Sequence, residues 1–130
     1  MNSYVFVYGS LMRGRSNHDI IKDGYFLGRA VVQGVGLYDV TPYYPGAVRE
    51  RDKMVRGEVY EVDAATLKTL DWVEVNGNLY RREIFNAYLQ ERGDKVEVWV
   101  YLWLQEIDPK KEVPLEAQPW QERDPGGEEG

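Results

Sequence analysis

Two stretches of this sequence carry residues whose types and spacing suit chemistry at a carbonyl: VYGSLMRG near the start and LDWVEVNGNLYRR in the middle. In the first, the bulky run Tyr4, Val5, Phe6, Val7, Tyr8 breaks directly into Gly9, Ser10 and Leu11. A strand ending this way presents successive backbone N–H groups, with no side chain at Gly9 to block an approach. Such a nest binds a carboxylate or a developing oxyanion. The same residues also read as a tight turn whose serine caps the next segment. In the second stretch, Glu74 closes an apolar helical segment beside Trp72, Val73 and Val75. Apolar neighbours strip water from a carboxylate, raise its pKa and let it trade protons near neutrality. The plainer alternative is a solvated acid at a helix end, although a helix C-terminus disfavours negative charge.

Other chemistries are poorly supplied. There is no cysteine among the 130 residues, which removes thiolate catalysis, disulfides and cysteine–metal sites. His18 is the only histidine, so most zinc geometries are out of reach and a Ser-His-Asp triad would hang on that one residue. It reads as a surface or cap-region residue. No Gly-Lys-Ser/Thr follows the first glycine, which argues against a phosphate loop. A net charge of −6 without a basic tract opposes binding to nucleic acid or an anionic membrane. No apolar run reaches membrane-spanning length, and the N-terminus lacks a leader pattern, so the expected location is the cytoplasm. Glu58 reads as a cross-strand partner on the face of Arg56 and Tyr60, and Arg92-Gly93-Asp94 as a hairpin turn.

The elements that must position these residues follow from periodicity. YVFVY is apolar on both faces, as a buried strand is. Residues 16–22 form a short helix capped by Ser16 or Asn17. GYFLGRAVVQGVGLYDV predicts bent or bulged strands, TPYYPGAV a loop and MVRGEVYEV an alternating strand. Asp63 is placed to cap a helix over AATLKTLDWV, with Leu67, Leu70 and Val73 as its apolar stripe. VNGNL is a turn. Residues 79–89 and 96–104 alternate as two long strands closed by RGDK. On the second of these Trp99, Tyr101 and Trp103 share one face, opposite Val96, Val98, Val100, Leu102 and Leu104. Beyond Ile107 the prolines and acids of residues 108–130 predict an irregular tail, pinned by Trp120 and disordered over PGGEEG. The expectation is one α+β barrel domain over residues 1–107, small and closed or half-closed, with one or two helices outside and a ligand site at its mouth or interior.

In their order and separations, VYGSLMRG, YYPGAV, GEVYEV, LDWVE and LYRR resemble the γ-glutamylcyclotransferase-like superfamily, which includes the γ-glutamylamine cyclotransferases and the plant avirulence-induced proteins. The likeness runs from about Tyr4 to Trp103. It implies a small mixed β-barrel with flanking helices and a cofactor-free, metal-free cyclisation. In that reaction the α-amine of a γ-glutamyl compound attacks its own γ-carbonyl and releases 5-oxoproline and a free amine or amino acid. By the resemblance, Glu74 is the general acid/base, Tyr8, Gly9, Ser10 and Leu11 hold the γ-glutamyl head, and Tyr80 is a side-chain donor in the pocket, with Tyr101 a weaker candidate. The region of Tyr43, Tyr44 and residues 105–120 would select the leaving amine. The expected partner is a small γ-glutamyl substrate. Two rivals stand beside the enzyme: a non-catalytic barrel that binds a small carboxylate or γ-glutamyl metabolite, and a protein-interaction module built on the hairpin and acidic tail.

Overall fold

The structure, a computed structural model, describes residues 2–41, 43–74 and 78–122. The PGGEEG end, residues 75–77 of the VNGNL turn and Pro42 of the TPYYPGAV loop lie outside these residues. Five strands close into a barrel: β1 (Ser3–Val7), β2 (Tyr25–Asp39), β3 (Pro45–Val62), β4 (Tyr80–Leu89) and β5 (Lys95–Trp103), in the spatial order β1-β3-β2-β4-β5. The β1–β3, β2–β3, β2–β4 and β4–β5 pairs are antiparallel. The seam is parallel, with Val5 opposite Trp99 and Phe6 opposite Val100. That seam makes the barrel mixed, and it brings the end of β1 beside the middle of β5.

The glycine-rich segment predicted to bend does so within a single long strand. The register of β2 against β3 shifts between Phe26 and Gly28 and again between Gln33 and Val35. At the second shift β2 advances from Gln33 to Val35 while β3 runs from Met54 back to Arg49, so residues 50–53 of β3 stand against Gly34 alone and form a bulge. A bulge of this size lets a strand turn the corner of a small barrel. The TPYYPGAV segment is a loop only through Tyr44. Pro45 is the first residue of β3, a position where its missing N–H costs no ladder bond.

One helix, α1 (Ala64–Val73), packs outside the barrel; it starts where Asp63 accepts the Thr66 N–H at 2.8 Å. Leu70 is fully buried, Leu67 packs partly against the core, and Val73 is 40% exposed. The stripe therefore tilts, with its last member left facing solvent. The helix expected over residues 16–22 is a short 3-10 turn, His18–Ile20, with no side-chain cap. Valines and aromatics from every strand fill the interior, among them Val5, Phe6, Val32, Val55, Val59 and Val100. Arg92 and Asp94 pair across the hairpin turn, where Gly93 takes a positive φ.

The segment after Ile107 lies along the barrel. The Val113 N–H donates to the Leu37 carbonyl, and the Arg56 N–H to the Gln118 side chain. The Trp120 ring is buried, and its Nε1 donates to Asp39. No helix among the described residues is long and apolar enough to cross a membrane.

Candidate active site

A cavity of about 220 Å³ opens between the end of β1, the start of β3, the end of α1 and the start of β4. Gly9, Ser10 and Leu11 line it on one side and Glu74 on another, with Tyr8, Tyr80 and Tyr101 in the walls. All six candidate residues from the two sequence stretches thus reach one space, although the stretches lie far apart in the chain.

The loop after β1 takes its form from a tight backbone turn. The Met12 N–H donates to the Gly9 carbonyl and the Asn17 N–H to the Ser10 carbonyl. Among the described residues no acceptor takes up the amide protons of Gly9, Ser10 or Leu11. Three consecutive amides without partners, beside a cavity, form a ready receptor for a negatively charged oxygen. Asn17 Nδ2 donates to Ser10 Oγ at 2.9 Å, which leaves the serine's own proton to donate elsewhere. His18 Nδ1 sits 2.9 Å from the Leu11 carbonyl and braces the far side of the loop. What approaches Gly9 most closely is the chain itself: a Cβ there would stand 2.8 Å from Pro45 Cδ.

Glu74 occupies the C-cap of α1, with its N–H donating to Leu70. Its half-buried carboxylate accepts no hydrogen bond from a described residue. Burial pushes its pKa from 4.5 up to about 7. The groups that sense its charge are three tyrosines, Tyr8 just past the end of β1, Tyr80 at the start of β4 and Tyr101 on β5. Burial raises each of those phenols, and the nearby carboxylate adds to the rise, so all three stay neutral near pH 7.

The phenol hydroxyls are occupied. Tyr8 donates to the Tyr101 carbonyl at 2.6 Å and accepts the Ala47 N–H at 3.1 Å. Tyr80, expected as a donor into the pocket, donates instead to the Pro45 carbonyl at 2.8 Å. Its ring, edge-on to Trp103, forms wall. Tyr101 donates to Asp71. Glu58, expected as a cross-strand partner, accepts instead from the loop, through the Arg13 N–H, and from its own strand, through the Tyr60 hydroxyl. Sequence reasoning missed Asn17 as a lining residue; its only local signal was a cap position beside a short turn.

Asp71 and Arg82 were legible only as letters of LDWVE and LYRR, and the structure joins them by a bidentate ion pair. Burial alone would raise the Asp71 pKa, but the hydrogen bonds from Arg82 and Tyr101 outweigh it and hold the carboxyl below its ordinary value. Among the described residues no cluster of histidine, cysteine, aspartate or glutamate is arranged to hold a metal ion.

The comparison with known proteins bears on the whole barrel. A family model described as "Gamma-glutamyl cyclotransferase, AIG2-like" matches residues 5–122, which includes both sides of the cavity. The chain belongs to this family. A γ-glutamyl cyclotransferase family relative from Methanocaldococcus jannaschii is 38% identical over 105 residues, covering 77% of this chain and 83% of its own. The gamma-glutamylcyclotransferase family protein YtfP of Escherichia coli K12 is 32% identical over 120 residues, covering 92% of this chain and 97% of its own. Among solved structures, an AIG2-like protein of Mus musculus superimposes with a TM-score of 0.74 at 29% identity, covering 85% of this chain and 82% of that one. The mixed barrel with a flanking helix is therefore the family's fold, and the family is one of cyclotransferase-type enzymes.

Proposed function

We propose that the protein cyclises a γ-glutamyl compound to 5-oxoproline, with Glu74 as general acid/base and the residue 8–11 loop as the receptor for the γ-glutamyl head. One observation carries the reading: a desolvated carboxylate with a pKa near 7 shares a cavity with three unpartnered amides and no other group that titrates near neutrality.

The chemistry needs these two features together. The substrate's α-amine is mostly protonated at pH 7 and must become neutral to attack. Glu74, half ionised near that pH, takes the proton. The amine nitrogen then forms a bond to the γ-carbonyl carbon, and the carbonyl oxygen becomes an oxyanion. Collapse of this tetrahedral centre breaks the bond to the leaving nitrogen, which receives a proton from the carboxyl of Glu74; the ring nitrogen then gives its second proton to the regenerated Glu74 carboxylate, which passes it to the departing amine, leaving the neutral lactam and an ammonium ion. The amides of Gly9, Ser10 and Leu11, with the Ser10 hydroxyl, supply donors for the substrate carboxylate or the oxyanion. Tyr8 and Tyr80 contribute ring faces that keep the space dry, and a dry space strengthens those hydrogen bonds and sustains the raised pKa of Glu74. Ring closure is intramolecular, so proximity supplies much of the rate.

The test is incubation with a mixed panel of γ-glutamyl amino acids and γ-glutamyl amines, scoring 5-oxoproline by mass spectrometry for wild type and for Glu74→Gln. The wild type should form product and the folded variant, still binding substrate, should not. A folded wild type that binds members of the panel without producing 5-oxoproline would replace this reading with the binding barrel.

A further inference from the structure

A second cavity, of about 120 Å³, lies on the outside of the barrel. It shares no lining residue with the first: Leu11 lines one and Met12 the other, so the loop after β1 separates them. Its base is the β2–β3 ladder where Ala30 stands opposite Gly57. Ala30 is buried and a Cβ on Gly57 would meet the Phe6 ring, so both positions point into the barrel and leave backbone on the outside. Met12 from the loop and Pro119 from the C-terminal segment add apolar wall, and Gln90 adds an amide.

Three charged side chains line this space. Arg29 stands opposite Glu58 across the ladder, and Arg56 precedes Glu58 by two residues on the same face of β3, about 7 Å along the strand. Opposite charges so placed can reach one another, yet neither arginine bridges to Glu58. Arg29 bonds to Glu91 instead. The Arg56 guanidinium has no hydrogen bond or ion pair among the described residues; only its backbone N–H is taken, by Gln118. Glu58 accepts the Arg13 N–H and the Tyr60 hydroxyl through Oε1, and no described residue donates to Oε2.

An open guanidinium and an open carboxylate oxygen on one small cavity select against ligands of a single charge. An anion there is repelled by Glu58, and a cation by Arg29 and Arg56. A zwitterion is attracted at both ends: a guanidinium takes a carboxylate by two parallel hydrogen bonds, and a carboxylate oxygen accepts from an ammonium group. The volume lies well below the roughly 300–1,000 Å³ of pockets for larger ligands, so the occupant is small.

We propose that this cavity is a binding site for a small free α-amino acid, with its carboxylate on Arg56 and its ammonium on Glu58 Oε2. A short side chain would rest against Met12 and Pro119. Arg29, held by Glu91, adds positive charge beside the carboxylate. The site is separate from the cavity of Glu74 and stands whether or not that cavity turns over a γ-glutamyl compound.

The experiment is an NMR titration of the whole protein with L-alanine and with propionate and ethylamine, each of which keeps one of its two charged groups. L-Alanine should shift the backbone amides of Ala30, Gly57 and Gln90 and bind at least about tenfold more tightly than either analogue, the scale of a hydrogen bond between charged groups. Arg56→Gln, at an exposed position whose backbone bond to Gln118 is kept, should stay folded and weaken L-alanine by a similar factor. Four results would each overturn the assignment: no saturable shift, shifts confined to Gly9, Ser10 and Leu11, an analogue that binds as tightly as L-alanine, or an unchanged affinity in folded Arg56→Gln. None of these readouts depends on formation of 5-oxoproline.

Discussion

Arg82 Nε lies 2.7 Å from Asp71 Oδ1 and Arg82 Nη2 lies 3.1 Å from Asp71 Oδ2, a bidentate pair that ties the last turn of α1 to β4. The Tyr101 hydroxyl adds a third bond to the same carboxylate from β5, at 2.6 Å, and the Arg82 guanidinium lies over the Trp99 ring. Asp71 precedes Glu74 by three residues, less than one helical turn. The pair therefore fixes the helix end on which the Glu74 carboxylate is carried, and a bidentate arginine does this with more directional control than a single charge contact.

Loosening this lock should misplace Glu74 without touching the residue 8–11 loop. For Asp71→Asn and Arg82→Ala we expect kcat to fall at least about tenfold, KM to change little, and stability to drop by about 1–3 kcal/mol, the range for hydrogen bonds to charged groups. Arg82→Lys keeps the charge but loses the fork, and should recover stability more than kcat. Steady-state kinetics with denaturant unfolding separates the two effects. Equal losses in kcat and stability across all three variants would mean that the pair only holds the fold together.

The raised pKa of Glu74 should appear in the pH dependence of both rate and stability. Turnover should fall as pH drops through about 7, because the carboxyl is then protonated and no longer accepts the amine's proton. The stability effect has the opposite sense. Below about 4.5 the group is protonated in folded and unfolded chains alike and has no effect. As pH rises from about 4.5 to about 7 the unfolded chain ionises first and stability declines, reaching a full cost of about 3 kcal/mol above that window. Glu74→Gln lacks this dependence. It should gain stability relative to wild type as pH is raised from 4 to 8, measured by urea unfolding at each pH; a constant difference would show that the carboxyl is not desolvated.

Gly9 should tolerate no side chain. A Cβ at this position would approach Pro45 Cδ to 2.8 Å, and the ring opens β3, where it has little room to move. Gly9→Ala is expected to cost about 1–3 kcal/mol by overpacking. It should also raise KM, because any shift that relieves the clash displaces the amides of Ser10 and Leu11. An unchanged KM would separate the loop from substrate binding.

The segment after Ile107 should matter to the same loop at a distance. Arg15 donates to the Trp120 carbonyl at 2.6 and 3.2 Å, Ser16 bonds to Glu122, and the adjacent Asn17 holds Ser10 through both its backbone and side-chain nitrogens. Trp120→Ala removes a buried ring and should cost about 3–5 kcal/mol. At temperatures where the variant is still folded, KM should rise while kcat, which the proposed mechanism assigns to Glu74, changes less. Thermal unfolding followed by kinetics below the transition would check both.

Local rules go far in this chain. The Asp63 cap, the period of α1, the alternation of β4 and β5 and the glycine-marked bends of β2 all follow from interactions within a few residues, and such signals survive in the letters. Glu74 and the residue 8–11 loop stood out for the same reason: an acid among apolar neighbours and a glycine at the end of a buried strand are visible without any partner. Their meeting in one cavity is not a local matter. It depends on the parallel seam between β1 and β5 and on the return of α1 over the barrel's end, contacts whose entropy cost and burial gain belong to the closed structure as a whole. The same closure aimed the Tyr80 hydroxyl at the Pro45 carbonyl, because a buried phenol takes whichever acceptor the packed fold brings within reach. It also turned LDWVE and LYRR, two separate strings of letters, into the Asp71–Arg82 pair. Side-chain types and spacing named the groups able to carry a proton or receive an anion; register and barrel closure decided which of them face one another across water-poor space.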